Sequence, residues 1–201
     1  MRILWIQRES EYVRDLIASP AATIELVTMG ETSLSENQSN ALLSFSMPVA
    51  DEHTNKTAIS KVYDLTLPEP ESLAANPKGM SVFWMSRHQW MFEQPYLVDP
   101  DWVLNTPLRK YGCVTEQTDA WVRFDLAGPR LSLILCRLAN VSQNRYEPGA
   151  AIRSVIHHLG VYLVCSDKSK IAVYGPRSSA DTLAEALVSS ICTANGLIKR
   201  K

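Results

Sequence analysis

Arg130 and Arg177 stand in the most suggestive setting of any residues in the sequence. Each follows a Gly-Pro pair, the two are 47 residues apart, and each stands where a strand pattern gives way to a helix pattern. A guanidinium is a planar fork of donors suited to a carboxylate or a phosphate. At a helix start it opposes the dipole and calls for a partner; a neighbouring acidic side chain would serve equally. Asp125, set in a strand pattern, is the candidate acid or base, with no partner near it in sequence. His157 and His158 fall on a strand pattern, where adjacent side chains point to opposite faces and cannot share a metal. One is expected buried and the other exposed. His53 and His88 lie in loop-like surroundings. Trp84, Trp90, Trp102 and Trp121 could stack on a ligand, but are equally packing or interface anchors. Arg130, Arg177, Trp84 and Trp90 are therefore the candidate interface or anion contacts. No catalytic, cofactor-binding or metal-binding residue is assigned.

The familiar cofactor loops are missing. With eight glycines, none arranged as GxGxxG, as a Walker A loop or as a GxSxG elbow, no dinucleotide fingerprint or nucleophile elbow is present. Cys113, Cys136, Cys165 and Cys192 are 23, 29 and 27 residues apart, without the close ligand pairs of a structural zinc site. Free, buried thiols are expected, with Cys136 and Cys192 on the apolar faces of helices.

Composition narrows the class further. Twenty basic residues against 21 acidic ones give a net charge of −1, no surplus for a phosphate backbone. No apolar run is long enough to span a membrane. The N-terminal stretch 1–16 has four apolar residues in a row before charge resumes, so no signal peptide is expected and a cytoplasmic location is.

The elements that must position these residues follow from periodicity. Residues 22–29 and 41–47 read as strands, with 30–40 a polar loop between them, 54–64 a short helix and 67–79 a proline-bearing connector. Residues 80–85 and 89–93 form a hairpin about Ser86-Arg87-His88. Asp99 or Asp101 would cap a short helix through Leu104, ended by Pro107. In 120–126, Trp121, Arg123 and Asp125 face one way and Val122, Phe124 and Leu126 the other. This strand runs into Gly128-Pro129-Arg130 and a helix over 131–138. Residues 151–164 hold two strands broken at Gly160, and 171–174 run into Gly175-Pro176-Arg177 and a final helix. In that helix Ala180, Leu183, Ala184, Leu187, Val188, Ile191 and Cys192 form an apolar stripe, and Asn195-Gly196 close it. The order reads β-α-β-β-α after a hairpin: an α+β fold of antiparallel sheets with helices on one face, a split βαβ arrangement. Residues 1–79 form a looser N-terminal part and 80–201 the C-terminal part, or the two make one compact unit.

The order of these signals resembles the gamma subunit of heterotetrameric sarcosine oxidase and the corresponding subunit of N-methylglutamate dehydrogenase-type enzymes. It rests on the aromatic hairpin 82–92, the strand 120–126 with Gly128-Pro129-Arg130 and Leu135, the run 146–151, and the closing strand and helix over 174–190. It covers residues 80–194 well and the N-terminal third loosely. Where that family carries a Gly-Pro-Asp-Glu hairpin turn, this chain has Ser86-Arg87-His88-Gln89. The resemblance implies a fold related to the aminomethyltransferase (glycine-cleavage T-protein) and YgfZ-like folate-binding proteins. It also implies a structural place beside a large alpha, a flavin-bearing beta and a small delta subunit, in a complex that oxidatively demethylates a secondary amine such as sarcosine. FAD, FMN, NAD, zinc and tetrahydrofolate would then belong to the partners, with none bound by this chain. A stand-alone folate-dependent one-carbon transferase using Asp125, or an adaptor of the same fold, are the alternatives.

Overall fold

The computed structural model describes residues 19–24, 26–50, 52–95 and 105–198. Among these residues eleven strands form two antiparallel sheets. β1 (Val27–Met29), β2 (Thr32–Asn37), β8 (Trp121–Ala127), β9 (Ala151–Ile156), β10 (Leu159–Asp167) and β11 (Lys170–Pro176) make a six-stranded sheet in the order β1-β2-β8-β11-β10-β9. β3 (Asn40–Ser46), β4 (Leu73–Ala75), β5 (Ser81–Ser86), β6 (Gln89–Pro95) and β7 (Cys113–Glu116) make a five-stranded sheet ordered β4-β5-β6-β3-β7.

The sheets lie face to face with a helical layer outside each, because the central strands alternate their side chains between two buried environments. α2 (Leu131–Leu135) and α3 (Ala180–Ile198) cover the outer face of the six-stranded sheet. Leu183, Leu187 and Ile191 of α3 pack there with Phe124, Leu163, Val173 and Cys165. α1 (Glu52–Tyr63) covers the outer face of the five-stranded sheet, where Ile59 meets Phe45, Val82, Trp90 and Phe92. Between the sheets, Leu42, Phe83 and Met91 pack on Tyr162, Val164, Ala172 and Tyr174. The fold is thus α+β, with helices on one face of each sheet, as the sequence predicts. Strands from both sides of residue 80 enter both sheets.

Several local expectations are corrected. Within 22–29 only Val27–Met29 is a strand, and the 30–40 stretch holds β2. β2 pairs with β8 from Ser33↔Ala127 to Asn37↔Arg123, so ladder hydrogen bonds make a strand of a polar sequence. The 67–79 connector contains the short β4. Asn105 is helical and Thr106 is not, so a helix ends just before Pro107, as the sequence predicts, and Pro107 then opens a 3₁₀ turn over Pro107–Lys110, whose Leu108 amide donates to the Thr106 hydroxyl. The helix expected through Leu104, Trp102 and the 1–16 stretch lie outside the described residues.

The strands read over 151–164 and at 171–174 make three, and β7 precedes β8, so the order after the hairpin is β-β-α-β-β-β-α rather than β-α-β-β-α. The chain reverses at His157-His158, not at Gly160, which sits in β10 paired with Val155. Both histidines have positive φ, 45° and 69°, the backbone of a two-residue type I′ hairpin, and both are exposed. α2 stops at Leu135, and α3 continues past Asn195-Gly196 to Ile198 while the Asn195 amide donates to the Met29 carbonyl at 2.9 Å. Of the four free thiols only Cys165 is buried; Cys136 is half-buried, and Cys113 and Cys192 are exposed.

Candidate functional site

The inner layer is apolar except at one end, where a network of charged and polar side chains joins the two sheets. Strand alternation puts Arg123 and Asp125 of β8 on the inner face, opposite Val122 and Phe124. Glu93 of β6 shares the inner face with Met91, and Tyr174 of β11 shares it with Ala172. Arg123 Nη1 reaches across to Glu93 Oε1 at 2.6 Å, and its Nε donates to Asp125 Oδ1 at 2.6 Å. Asn40 donates to Glu93 Oε1 at 2.9 Å. Tyr174 and Ser81 hydroxyls donate to Glu93 Oε2 at 2.7 and 3.1 Å. Asn37 donates to Asp125 Oδ2 at 2.8 Å.

Burial ties the charges to one another. The Glu93 side chain keeps only 5% of its surface exposed and Arg123 21%, so each charge depends on the other. Desolvation alone would lower the Arg123 pKa. The neighbouring Tyr174 and the Glu93 and Asp125 carboxylates outweigh it and hold Arg123 above the ordinary guanidinium value. Burial, then the Glu93 charge, pushes the Tyr174 phenol well above the usual tyrosine range, so it stays a donor. All four oxygens of Glu93 and Asp125 accept hydrogen bonds from within the chain. Asp125, the acid the sequence singles out, thereby finds the partners that the sequence does not reveal.

The network floors a cleft of about 190 Å³ lined by Asn37, Asn40, Leu42, Trp121, Arg123 and Arg177, among others. That is below the roughly 300–1,000 Å³ of small-molecule sites. Arg177 therefore lies at this cleft, with Nη2 donating to the Ser19 carbonyl at 3.2 Å. Arg130 does not. It is exposed, with left-handed backbone at φ 60°, on a separate groove of about 690 Å³ with Met29, Leu133 and Cys192. Trp90 is buried against α1, its indole N–H donating to the Pro68 carbonyl at 2.9 Å, and Trp84 is half-buried beside it. The structure thus brings Arg177 to Arg123 and keeps Arg130, Trp84 and Trp90 apart from them. Among the described residues, no group of three or more His, Cys, Asp or Glu is placed to hold a metal, and no helix is long and apolar enough to cross a membrane.

No protein-family model matches the chain, and no curated protein does. Solved structures do match. A chain of the heterotetrameric sarcosine oxidase from Corynebacterium sp. U-96, in complex with pyrrole 2-carboxylate, superposes with a TM-score of 0.67 at 17% identity. The match covers 83% of this chain and 87% of that one. The fold is shared. The glycine cleavage system aminomethyltransferase T from Bartonella henselae superposes with a TM-score of 0.57 at 15% identity over 80% of this chain. It is matched over 46% of its own length, so the chain spans about half of that protein. At these identities the likeness is one of fold.

Proposed function

We propose that this chain is a non-catalytic subunit of a hetero-oligomeric, flavin-dependent oxidase or dehydrogenase that demethylates a secondary amine such as sarcosine. Its partners would be a large alpha, a flavin-bearing beta and a small delta chain, and FAD, FMN, NAD, zinc and tetrahydrofolate would be theirs to hold. The observation that carries this reading is the near-complete mutual coverage with a sarcosine oxidase chain, 83% of one and 87% of the other. The inner network agrees with it. Glu93, which lines the cleft, and Asp125, bonded to the same Arg123, are engaged by donors of the same chain, which suits a scaffold better than a proton-transfer site.

Affinity purification of the tagged chain from its native cells tests the proposal. The expected product is a complex of fixed stoichiometry that contains flavin and oxidises sarcosine or a related N-methyl amine. A persistently monomeric, flavin-free preparation overturns the reading. Tetrahydrofolate binding by the isolated chain, abolished in Asp125→Ala, would favour the one-carbon transferase instead.

A further inference from the structure

We propose that the inter-sheet cleft is the seat of this chain's own N-terminal segment, residues 1–18, with Arg14 set against Asp119 and Leu16 and Ile17 against Trp121. The described chain begins at the cleft itself. Ser19 lines it, and the Ser19 carbonyl accepts from Arg177 Nη2 at 3.2 Å. The residues that follow are fastened there. The Ala21 and Ala22 amides donate to the Glu36 carboxylate at 2.8 and 2.9 Å, and the Thr23 amide and hydroxyl donate to Asp181 Oδ1 at 2.7 and 2.9 Å. A chain extends at most about 3.6 Å per residue, so the backbone of Arg14 starts within about 18 Å of Ser19 and that of Leu16 within about 11 Å. A tether this short holds the segment at high effective concentration over the cleft.

Charge favours an occupant that brings a cation. Glu36, Glu93 and Asp119 line the cleft and Asp125 lies behind them on Arg123, four carboxylates against the guanidiniums of Arg123 and Arg177. Glu93, Asp125 and Glu36 already accept from donors of the folded chain. Asp119 is exposed on the rim and, among the described residues, pairs with nothing. Arg14 is the cation of the segment nearest to Ser19. Its neighbour Asp15 falls to Arg177, which makes no ion pair among the described residues. Opposite charges thus meet on both sides of the mouth.

Apolar surface supplies the second contact. Trp121 packs on Tyr162 with ring centroids 5.5 Å apart, yet stays half-buried where it lines the cleft. The segment holds Ile3-Leu4-Trp5-Ile6 and Tyr12-Val13 as well as Leu16-Ile17, so seating it takes apolar surface out of water. The cleft volume of about 190 Å³ suits a side chain better than a free ligand of ordinary size.

Photo-crosslinking of the full-length chain tests the proposal and does not depend on the subunit reading. Benzoylphenylalanine replaces Gln38, an exposed residue of the cleft rim. Irradiation of a dilute sample should join it to a peptide from residues 5–18 of the same molecule. A crosslink to residues 96–104, to a second copy or to another protein, or none at all, overturns the proposal. Charge reversal gives an independent reading. Chymotrypsin should cut after Tyr12 at least about threefold faster in Arg14→Glu and in Asp119→Arg than in the unaltered chain, and the double reversal should restore most of the protection. Equal cutting in all four chains, or no recovery in the double reversal, overturns the proposal as well. If a reversal variant does not fold, the crosslink in the otherwise unaltered chain still decides.

Discussion

The two faces of the six-stranded sheet come from the same strands and are built in opposite ways. On β8, Val122, Phe124 and Leu126 point outward into a layer sealed by α2 and α3, where the packing is apolar apart from the Tyr146 hydroxyl and the Ser190 hydroxyl, which donates to the Ile134 carbonyl at 2.9 Å. Trp121, Arg123 and Asp125 point inward, where an apolar layer ends in a salt-bridged network. Apolar layers tolerate small slips between their elements, because dispersion is non-directional and changes gradually with position. Hydrogen bonds of 2.6–2.9 Å from Arg123, Asn40 and Tyr174 to one buried Glu93 tolerate far less. The outer face thus supplies burial, while the inner face adds a geometric pin between two sheets whose backbones otherwise meet, among the described residues, at the Ser72↔Ala150 bridge.

The sharpest way to break this contrast is to remove one neighbour from each face. Phe124→Ala on the outer face and Arg123→Met on the inner face are each expected to cost about 3–5 kcal/mol, the first through a cavity and the second through an unpaired buried carboxylate. The two losses differ in how they are rescued. Adding Glu93→Gln to Arg123→Met removes the stranded charge and should recover part of the loss, whereas adding it to Phe124→Ala should only deepen the loss. Urea unfolding of the four variants measures this. A lack of recovery in the inner double variant would refute the idea that charge pairing distinguishes the faces.

The sequence shows the outer face more plainly than the inner one, for a physical reason. The alternation along 121–127 and the stripe Ala180, Leu183, Ala184, Leu187 and Ile191 are hydropathy signals, and the helix-covered core follows them. The inner network leaves no periodic trace, because its members come from β2, β3, β5, β6, β8 and β11 and meet through long-range strand pairing and sheet stacking. Glu93 carried the one available clue: it shares a strand face with Met91, so a carboxylate on a buried face required a buried donor. β2 was hidden for the same reason, since Ser33, Ser35 and Asn37 face the polar end and lower the apparent amphipathicity of a true strand. The His157-His158 turn was obscured because positive φ at both positions is usually supplied by Asn or Gly, and Gly160 drew the reversal to itself.

A finer test keeps the charges and removes one donor. Tyr174→Phe leaves the inner aromatic packing against Phe83, whose ring centroid lies 5.0 Å away, but takes a hydrogen bond from Glu93 Oε2. A buried carboxylate losing one of several donors should cost about 1–3 kcal/mol. If urea unfolding shows no change, Tyr174 is a packing residue and the network ends at Asn40, Ser81 and Arg123.

The outer face has a titratable group of its own, and its behaviour with pH separates the faces again. Cys165 is buried beneath the helical layer, and burial pushes its thiol from 9.0 up to about 12. In the unfolded chain the same thiol ionises near 9, so above that pH the unfolded state sheds a proton that the folded state keeps. The stability this provides is whole below pH 9 and falls as pH rises toward 12, by about 1.4 kcal/mol per pH unit once the unfolded thiol is ionised. The raised tyrosines Tyr63, Tyr146, Tyr162 and Tyr174 add to the slope as pH nears 10, where their unfolded phenols ionise. Cys165→Ala should therefore reduce the slope of the stability curve from about pH 9, while Tyr174→Phe should act mainly from about pH 10 upward. Stability of the three proteins, measured by urea unfolding at half-unit steps of pH, gives the comparison. A slope unchanged in Cys165→Ala would mean that water reaches the thiol beneath α3, and that the outer layer is less sealed than its packing implies.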